Sequence, residues 1–387
     1  MELITISKVK TGMNNYSKPI GGVFLPAILV LLFLSRPVLA NPFLQAPWPD
    51  TDFSKLTIDL DEVMSGGPPR DGIPAIDEPK FDDVMQASKW LEPREPVIRV
   101  FHAGQARAYP LQLLIYHEIV NDQIGDLPIS VTFCPLCNSS VVFDRRLDGK
   151  VLDFGTTGLL RKSDMVMYDR QTDSWWQQII GKGIVGDYAG ATLTQIPSEI
   201  ISFEDFSMAH PDGRVVNRDT GFSRPYGNNP YRGYDGIDKS PFLFRGELDP
   251  RLPPMERVMH IASKDAEKLY PFSTLKGVGV VNDQVGDTAV VLFSRAGLLS
   301  VLDQSKIKDS REIQAVTAFQ RQLDGQTLTF KLNGEGVVDE QTGSQWNRLG
   351  QAIDGSLKGQ TLAAVQSGIH FAFAWLAFKP DVEMYQP

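Results

Sequence analysis

Two cysteines three residues apart, in Cys134-Pro135-Leu136-Cys137, are the only cysteines of this 387-residue chain. That spacing brings two sulfurs close enough to bond to each other or to grip one metal ion. The loop they would close is too short to stabilise a fold by much, because the entropy term grows with loop length. Redox or metal chemistry is therefore expected, and a passive short disulfide is the plain alternative. A thiolate pair with an imidazole suits copper(I) or zinc. His117, in His117-Glu118 just before the strand that delivers Cys134, is the expected imidazole. Met165 and Met167 are further soft donors on alternate positions of one face, and Asp164 and His370 complete the candidate set. Each has a structural alternative: a helix cap or surface ion pair for His117, core filling for the methionines, a hydrogen-bonded core histidine for His370. Asn138 follows Cys137, so no Cys-x-x-Cys-His sequence exists and covalent c-type haem is not expected.

The elements that must position these residues occur twice. Tyr109-Pro110 recurs as Tyr270-Pro271, and Val120-Asn121-Asp122-Gln123-Ile124-Gly125-Asp126 as Val281-Asn282-Asp283-Gln284-Val285-Gly286-Asp287. Leu147-Asp148-Gly149 matches Leu323-Asp324-Gly325, and Asp169, Thr172, Ser174 and Trp176 match Asp339, Thr342, Ser344 and Trp346. The period of about 165 residues makes each copy domain-sized. Short β-branched runs dominate both, Asp-Gly supplies tight hairpins, and one helix follows each Tyr-Pro, over 110–119 and 271–276. The expected fold is α+β: two diverged tandem copies of a mainly antiparallel, β-rich domain. The copies occupy 93–212 and 256–387. An extended arm over 41–92 precedes the first, and a Gly/Pro/Tyr-rich connector over 213–255 joins them.

Positions shared by both copies serve the fold, whereas positions in one copy are candidates for chemistry. Where the first copy has Cys134-Pro135-Leu136-Cys137, the second reads Ser294-Arg295-Ala296-Gly297, and His117-Glu118 is replaced by Val278-Gly279. The polar features vanish together, as a single site built once would require. A thioredoxin fold is disfavoured, because a β-branched strand, Val141-Val142-Phe143, follows the cysteines where that fold needs a helix.

The net charge of −9 argues against nucleic-acid binding, which needs a basic face. Lys8, Lys10 and Lys18 precede an apolar run from Gly21 to Leu34, and Val38-Leu39-Ala40 supplies small or apolar residues for cleavage. Residues 1–40 are thus expected to be a signal peptide cut after Ala40, giving a periplasmic or extracellular protein. The run is shorter than the roughly 20 residues a membrane-spanning helix needs, so no span is expected in the mature chain.

His117-Glu118-Ile119-Val120-Asn121-Asp122, Val131-Thr132-Phe133-Cys134-Pro135-Leu136-Cys137, Phe154-Gly155-Thr156-Thr157-Gly158, Ser163-Asp164, Met167-Tyr168-Asp169-Arg170 and Ser174-Trp175-Trp176 occur in order. This pattern resembles the uncharacterised bacterial and archaeal domain-of-unknown-function family 3179. The resemblance implies export and little about activity. It departs from that family's pattern at Asn138, where the family has Gly, and at Arg161-Lys162, where the family has Tyr-Asn. Three functions stay open: metal binding or metal-dependent redox chemistry, a thiol–disulfide or small-molecule-binding protein, and a structural interaction module.

Overall fold

The computed structural model describes residues 45–334 and 336–387, so the expected signal segment lies outside the described residues. In the first half, β1 (Pro96–His102) and β2 (Gln105–Pro110) form a hairpin that leads into helix α1 (Leu111–His117). The helix is shorter than the 110–119 expected, because Glu118 adopts a left-handed conformation with φ of 58°. Strands β3 (Ile119–Ile124), β4 (Leu127–Cys134) and β5 (Ser139–Asp144) then run as an antiparallel meander. A second sheet follows, from β6 (Phe154–Arg161) through β7 (Asp164–Asp169) and β8 (Trp175–Gln177) to β9 (Lys182–Val185). Strand β10 (Glu199–Ser202) returns to pair with β1, and α2 (Phe203–Ala209) follows it, capped by Ser202.

The second half lays down the same kind of order. Hairpin β11 (Arg257–Ser263) and β12 (Ala266–Pro271) leads to the short α3 (Phe272–Leu275), then to β13 (Val280–Val285), β14 (Thr288–Leu299) and β15 (Glu312–Gln320). Hairpin β16 (Phe330–Asn333) and β17 (Gly336–Asp339) comes next, and β18 (Gln366–Phe371) returns to β11 before α4 (Ala372–Phe378). Almost every ladder is antiparallel. Among the described strands only Arg214–Val216 against β2 and Glu383–Met384 against β12 run parallel. The Asp-Gly hairpins form as expected, with Asp148 and Gly149, and again Asp324 and Gly325, at positive φ.

The residues that recur in the sequence make recurring hydrogen bonds. Tyr109 donates to Asp122 at 2.6 Å, and Tyr270 to Asp283 at 2.8 Å. Asn121 clamps the backbone of Phe154 as Asn282 clamps that of Phe330. Trp176 Nε1 donates to Asp169 and Trp346 Nε1 to Asp339, and Thr172 and Thr342 bond the same carboxylates. Asn121, Asp122, Asp169 and Asp339 are buried, so each needs its partner in place before the surrounding apolar surface can close.

Two differences between the halves matter for the site. The β4–β5 hairpin turns at Cys134↔Ser139, whereas β14 and β15 continue pairing out to Leu299↔Glu312. Val120↔Val131 corresponds to Val281↔Leu292, a constant offset of 161, so the ladder puts Arg295 in the place of Cys134. That is one residue beyond the side-by-side comparison of the sequences. Secondly, the hairpin from Phe154 to Asp169 spans 16 residues and its counterpart from Phe330 to Asp339 spans 10. The longer one projects a tip, Lys162-Ser163, with both residues at positive φ in the geometry of a tight two-residue turn.

The halves share their core. One hydrophobic cluster runs from Ile98, Val131 and Cys137 to Val258, Leu292 and Trp375. The segment before residue 93 does more than lead in. Val63–Ser65 pairs with β6, Phe81–Asp83 pairs with Arg214–Val216, and Trp48 packs edge-on against Tyr168 and Trp175. The first half also buries an ion pair, Arg99–Glu199 at 2.8 Å, with Arg99 Nε donating to His210. Removing one partner strands the other charge in the core. Glu199→Ala is expected to lower unfolding free energy by about 3–5 kcal/mol, read as a fall in the denaturant midpoint.

Candidate functional site

Strand β4 delivers Cys134 to its end, and the chain turns through Pro135, Leu136, Cys137 and Asn138 before β5 begins. Asn138 N donates to the Pro135 carbonyl at 3.2 Å and takes φ of 47°. Glycine and asparagine are the residues that tolerate this left-handed region best, which suits Asn138 to the turn. The turn folds Cys137 back toward Cys134. From above, the tip of the β6–β7 hairpin places Asp164, the first residue of β7, against both. Cys134 Sγ, Cys137 Sγ and a carboxylate oxygen of Asp164 all lie within 4.8 Å of one another, and all three residues are buried.

Asp164 is held from one side only. Its Oδ2 accepts from Gln177 Nε2 at 2.7 Å and from the Ile179 backbone at 3.1 Å, while its buried Oδ1 has no hydrogen-bond partner. Burial pushes the Asp164 carboxyl up to about 7 against the pull of those donors. Burial also raises both thiols. Cys134 is raised further by Asp164 and Glu118, and Cys137, well above its usual value, by Cys134 and Asp164. Both cysteines are free thiols.

Glu118 lies near this group without being one of its three converging donors. Its backbone carbonyl accepts from Phe133 N at 2.8 Å, which sets it at the ladder end beside Cys134. Its side chain is buried, and burial followed by the charge of Asp164 raises it to about 8. No ion pair among the described residues involves Glu118, Asp164 or either cysteine.

The other expected site residues lie elsewhere. His117 is fully buried, with Nδ1 2.7 Å from the Pro74 carbonyl and Nε2 2.6 Å from the Tyr226 hydroxyl. A carbonyl only accepts, so Nδ1 carries the proton and Tyr226 donates to Nε2. Met165 and Met167 belong to the main hydrophobic cluster. His370 Nε2 bonds His260 Nδ1 at 2.8 Å, His370 Nδ1 meets Ser139 Oγ at 3.0 Å, and Trp375 stacks on both rings. His370 thus reaches the Cys hairpin through Ser139. Beside it, Phe371 N donates to the Cys137 carbonyl at 2.8 Å.

The connector runs across the outside. Tyr234 OH donates to the Leu136 carbonyl at 2.9 Å, Ser163 Oγ donates to the Phe242 carbonyl at 2.6 Å, and Tyr226 latches to His117. It covers the hairpin, leaving Cys134 and Cys137 2% and 0% exposed.

The ordered motifs around this cluster match a family model over residues 70–382, described as a protein of unknown function, DUF3179. The chain belongs to the DUF3179 family. No curated protein and no solved structure matches it. The DUF3179 match takes in the arm from Arg70, the cluster, the connector and most of the second half, so the clamp on Cys137 lies inside the family's span. No helix among the described residues is long and apolar enough to cross a membrane.

The shifts carry a sign for stability. Asp164 and Glu118 titrate near 7 and 8 in the metal-free fold, and from about 3.8 and 4.5 when unfolded. Between those limits the folded state binds more protons, so their contribution is full at low pH and is lost as pH rises toward 8. His260 and His210, pushed down by burial to about 3 and 4, act in the opposite sense below their usual value of 6.5. The metal-free protein is expected to be most stable near pH 5–6 and to lose stability by pH 8. Denaturant midpoints measured across that range check this, and a Glu118→Gln variant should show a shallower loss.

Proposed function

We propose that this chain is an exported metal-binding protein built from two diverged copies of one β-rich unit, with a single ion site in the first copy. Cys134, Cys137 and Asp164 are its donors. The observation that carries this reading is the convergence of two thiols and a carboxyl within 4.8 Å, all buried, with Asp164 Oδ1 unpartnered. Ionising such groups together in a dry site costs several kcal/mol per charge unless a cation joins them. A metal ion is the cation that two sulfurs and a carboxylate select. The carboxylate favours zinc over copper(I), which is served best by soft donors alone. His117, Met165, Met167 and His370 are left out of this donor set, because each has its own partners or lies in the core. Export, with cleavage after Ala40, belongs to the same proposal and rests on the first forty residues.

A thiol–disulfide role is the second reading. It is favoured by one observation: the Asp164 carboxyl lies against Cys137 and titrates near 7, where it can accept a thiol proton. Burial of both sulfurs and their raised pKa work against rapid exchange with a partner.

Metal analysis of protein purified from the exporting compartment tests the proposal. About one ion per chain is expected in the wild type, with loss of it in Cys134→Ser and in Asp164→Asn. Alkylation and mass measurement on the same sample separates the readings. Equal, substoichiometric metal in all three proteins, with the wild-type cysteines recovered as a disulfide, contradicts metal binding and supports the redox role.

A further inference from the structure

We propose that residues 237–248 of the connector form a flap over Cys134 and Cys137, clasped to the body at Phe242. Its opening is the route by which the folded chain exchanges an ion or meets a thiol reagent. The inference rests on the reading above only in taking the two cysteines as the working groups, and it holds for either chemistry.

The connector is anchored on both sides of this stretch. Before it, the backbone N–H groups of Asn229, Gly233 and Tyr234 donate to the carbonyls of Ser305, Asp303 and Leu302 at 2.9, 2.7 and 3.1 Å. Asp235 is buried between Arg257 at 2.6 Å and Arg311 at 2.7 Å. Beyond the stretch, Arg251 pairs with Asp249 and bonds the Pro380 carbonyl, and Phe373 N donates to the Pro254 carbonyl at 3.0 Å.

Between these anchors the chain forms no helix or strand. Apart from a local turn at Lys239, its hydrogen bonds meet at one residue. Phe242 N donates to Tyr234 OH at 3.2 Å, and the Phe242 carbonyl accepts from Ser163 Oγ at 2.6 Å. Phe244 adds one ring contact, edge-on to Phe373 with centroids 5.3 Å apart. Ile237, Phe242 and Leu248 are exposed, and Leu243 takes a φ of 55°, which is costly for a leucine. A segment with so few buried contacts opens at a small fraction of the free energy that unfolds the whole fold.

The clasp is seated on the site itself. Tyr234 OH also donates to the carbonyl of Leu136, between the two cysteines. The Ser163 carbonyl lies 4.0 Å from Cys134 Sγ. The two groups that hold Phe242 are thus the two that touch the Cys turn and its first sulfur.

Alkylation of the reduced, metal-free full chain by dilute iodoacetamide, followed by mass, tests this. With opening fast relative to modification, the rate reports the population of the open state. Ser163→Gly removes one clasp bond, and glycine suits the φ of 68° there, so the hairpin tip keeps its shape. Tyr234→Phe removes the other. Each variant should react about fivefold faster than the wild type or more, the effect of losing one hydrogen bond. The wild-type rate should stay nearly flat at low urea, because a local opening exposes little surface, and climb only where global unfolding sets in. An unchanged rate in either variant would overturn the proposal. So would a wild-type rate that climbs from zero urea with the slope of global unfolding, since the sulfurs would then be reached only through the unfolded chain. Neither result bears on metal content, which the metal analysis reads separately.

Discussion

Cys134, Cys137 and Asp164 are three acids packed at the end of one hairpin, Glu118 is buried nearby, and burial opposes charging the four together. Each is shifted toward its protonated form, by burial first, and the charge of Asp164 raises the other three further. A fold without a use for such a cluster would replace it with apolar side chains at no loss of stability. The second half does without the cluster. Its ladder carries Gly279 and Arg295 at the places of Glu118 and Cys134, and Arg295 reaches out to an ion pair with Asp205. Its β16–β17 hairpin spans 10 residues where the first half's spans 16.

The rest of the molecule is arranged around keeping that hairpin end rigid and dry. Strand β18 of the second half binds the Cys137 carbonyl and, through His370, Ser139. The His260–His370–Trp375 stack behind it is apolar in effect, since burial holds both imidazoles neutral. The connector lies over the other side through Tyr234 and Phe242. A site so enclosed suits an ion bound as the chain folds, because metal binding and folding then share one free energy.

Much of this was legible in the residues themselves. The Cys pair, the Asp-Gly hairpins, the helix after Tyr109-Pro110 and the predominance of antiparallel strands follow from local chemistry that tertiary packing does not override. The donors beyond the cysteines were harder. Nearness in sequence favoured His117, yet its ring is bonded to Pro74 and Tyr226. Those partners lie 43 and 109 residues away along the chain, a separation that no local period of hydrophobicity records. Asp164 was within reach of the sequence, but its rank depends on the length of the β6–β7 hairpin relative to its counterpart, and a ladder register is needed to see it. The arm before residue 93 reads as a lead-in because its prolines and turns break every period, although its strands complete two sheets.

Zinc K-edge X-ray absorption on the protein as isolated tests the central claim most directly. The account predicts a mixed shell, with two sulfurs near about 2.3 Å and at least one oxygen near about 2.0–2.2 Å. A shell of oxygen and nitrogen alone, or a protein that retains no metal while its cysteines stay reduced, would contradict it.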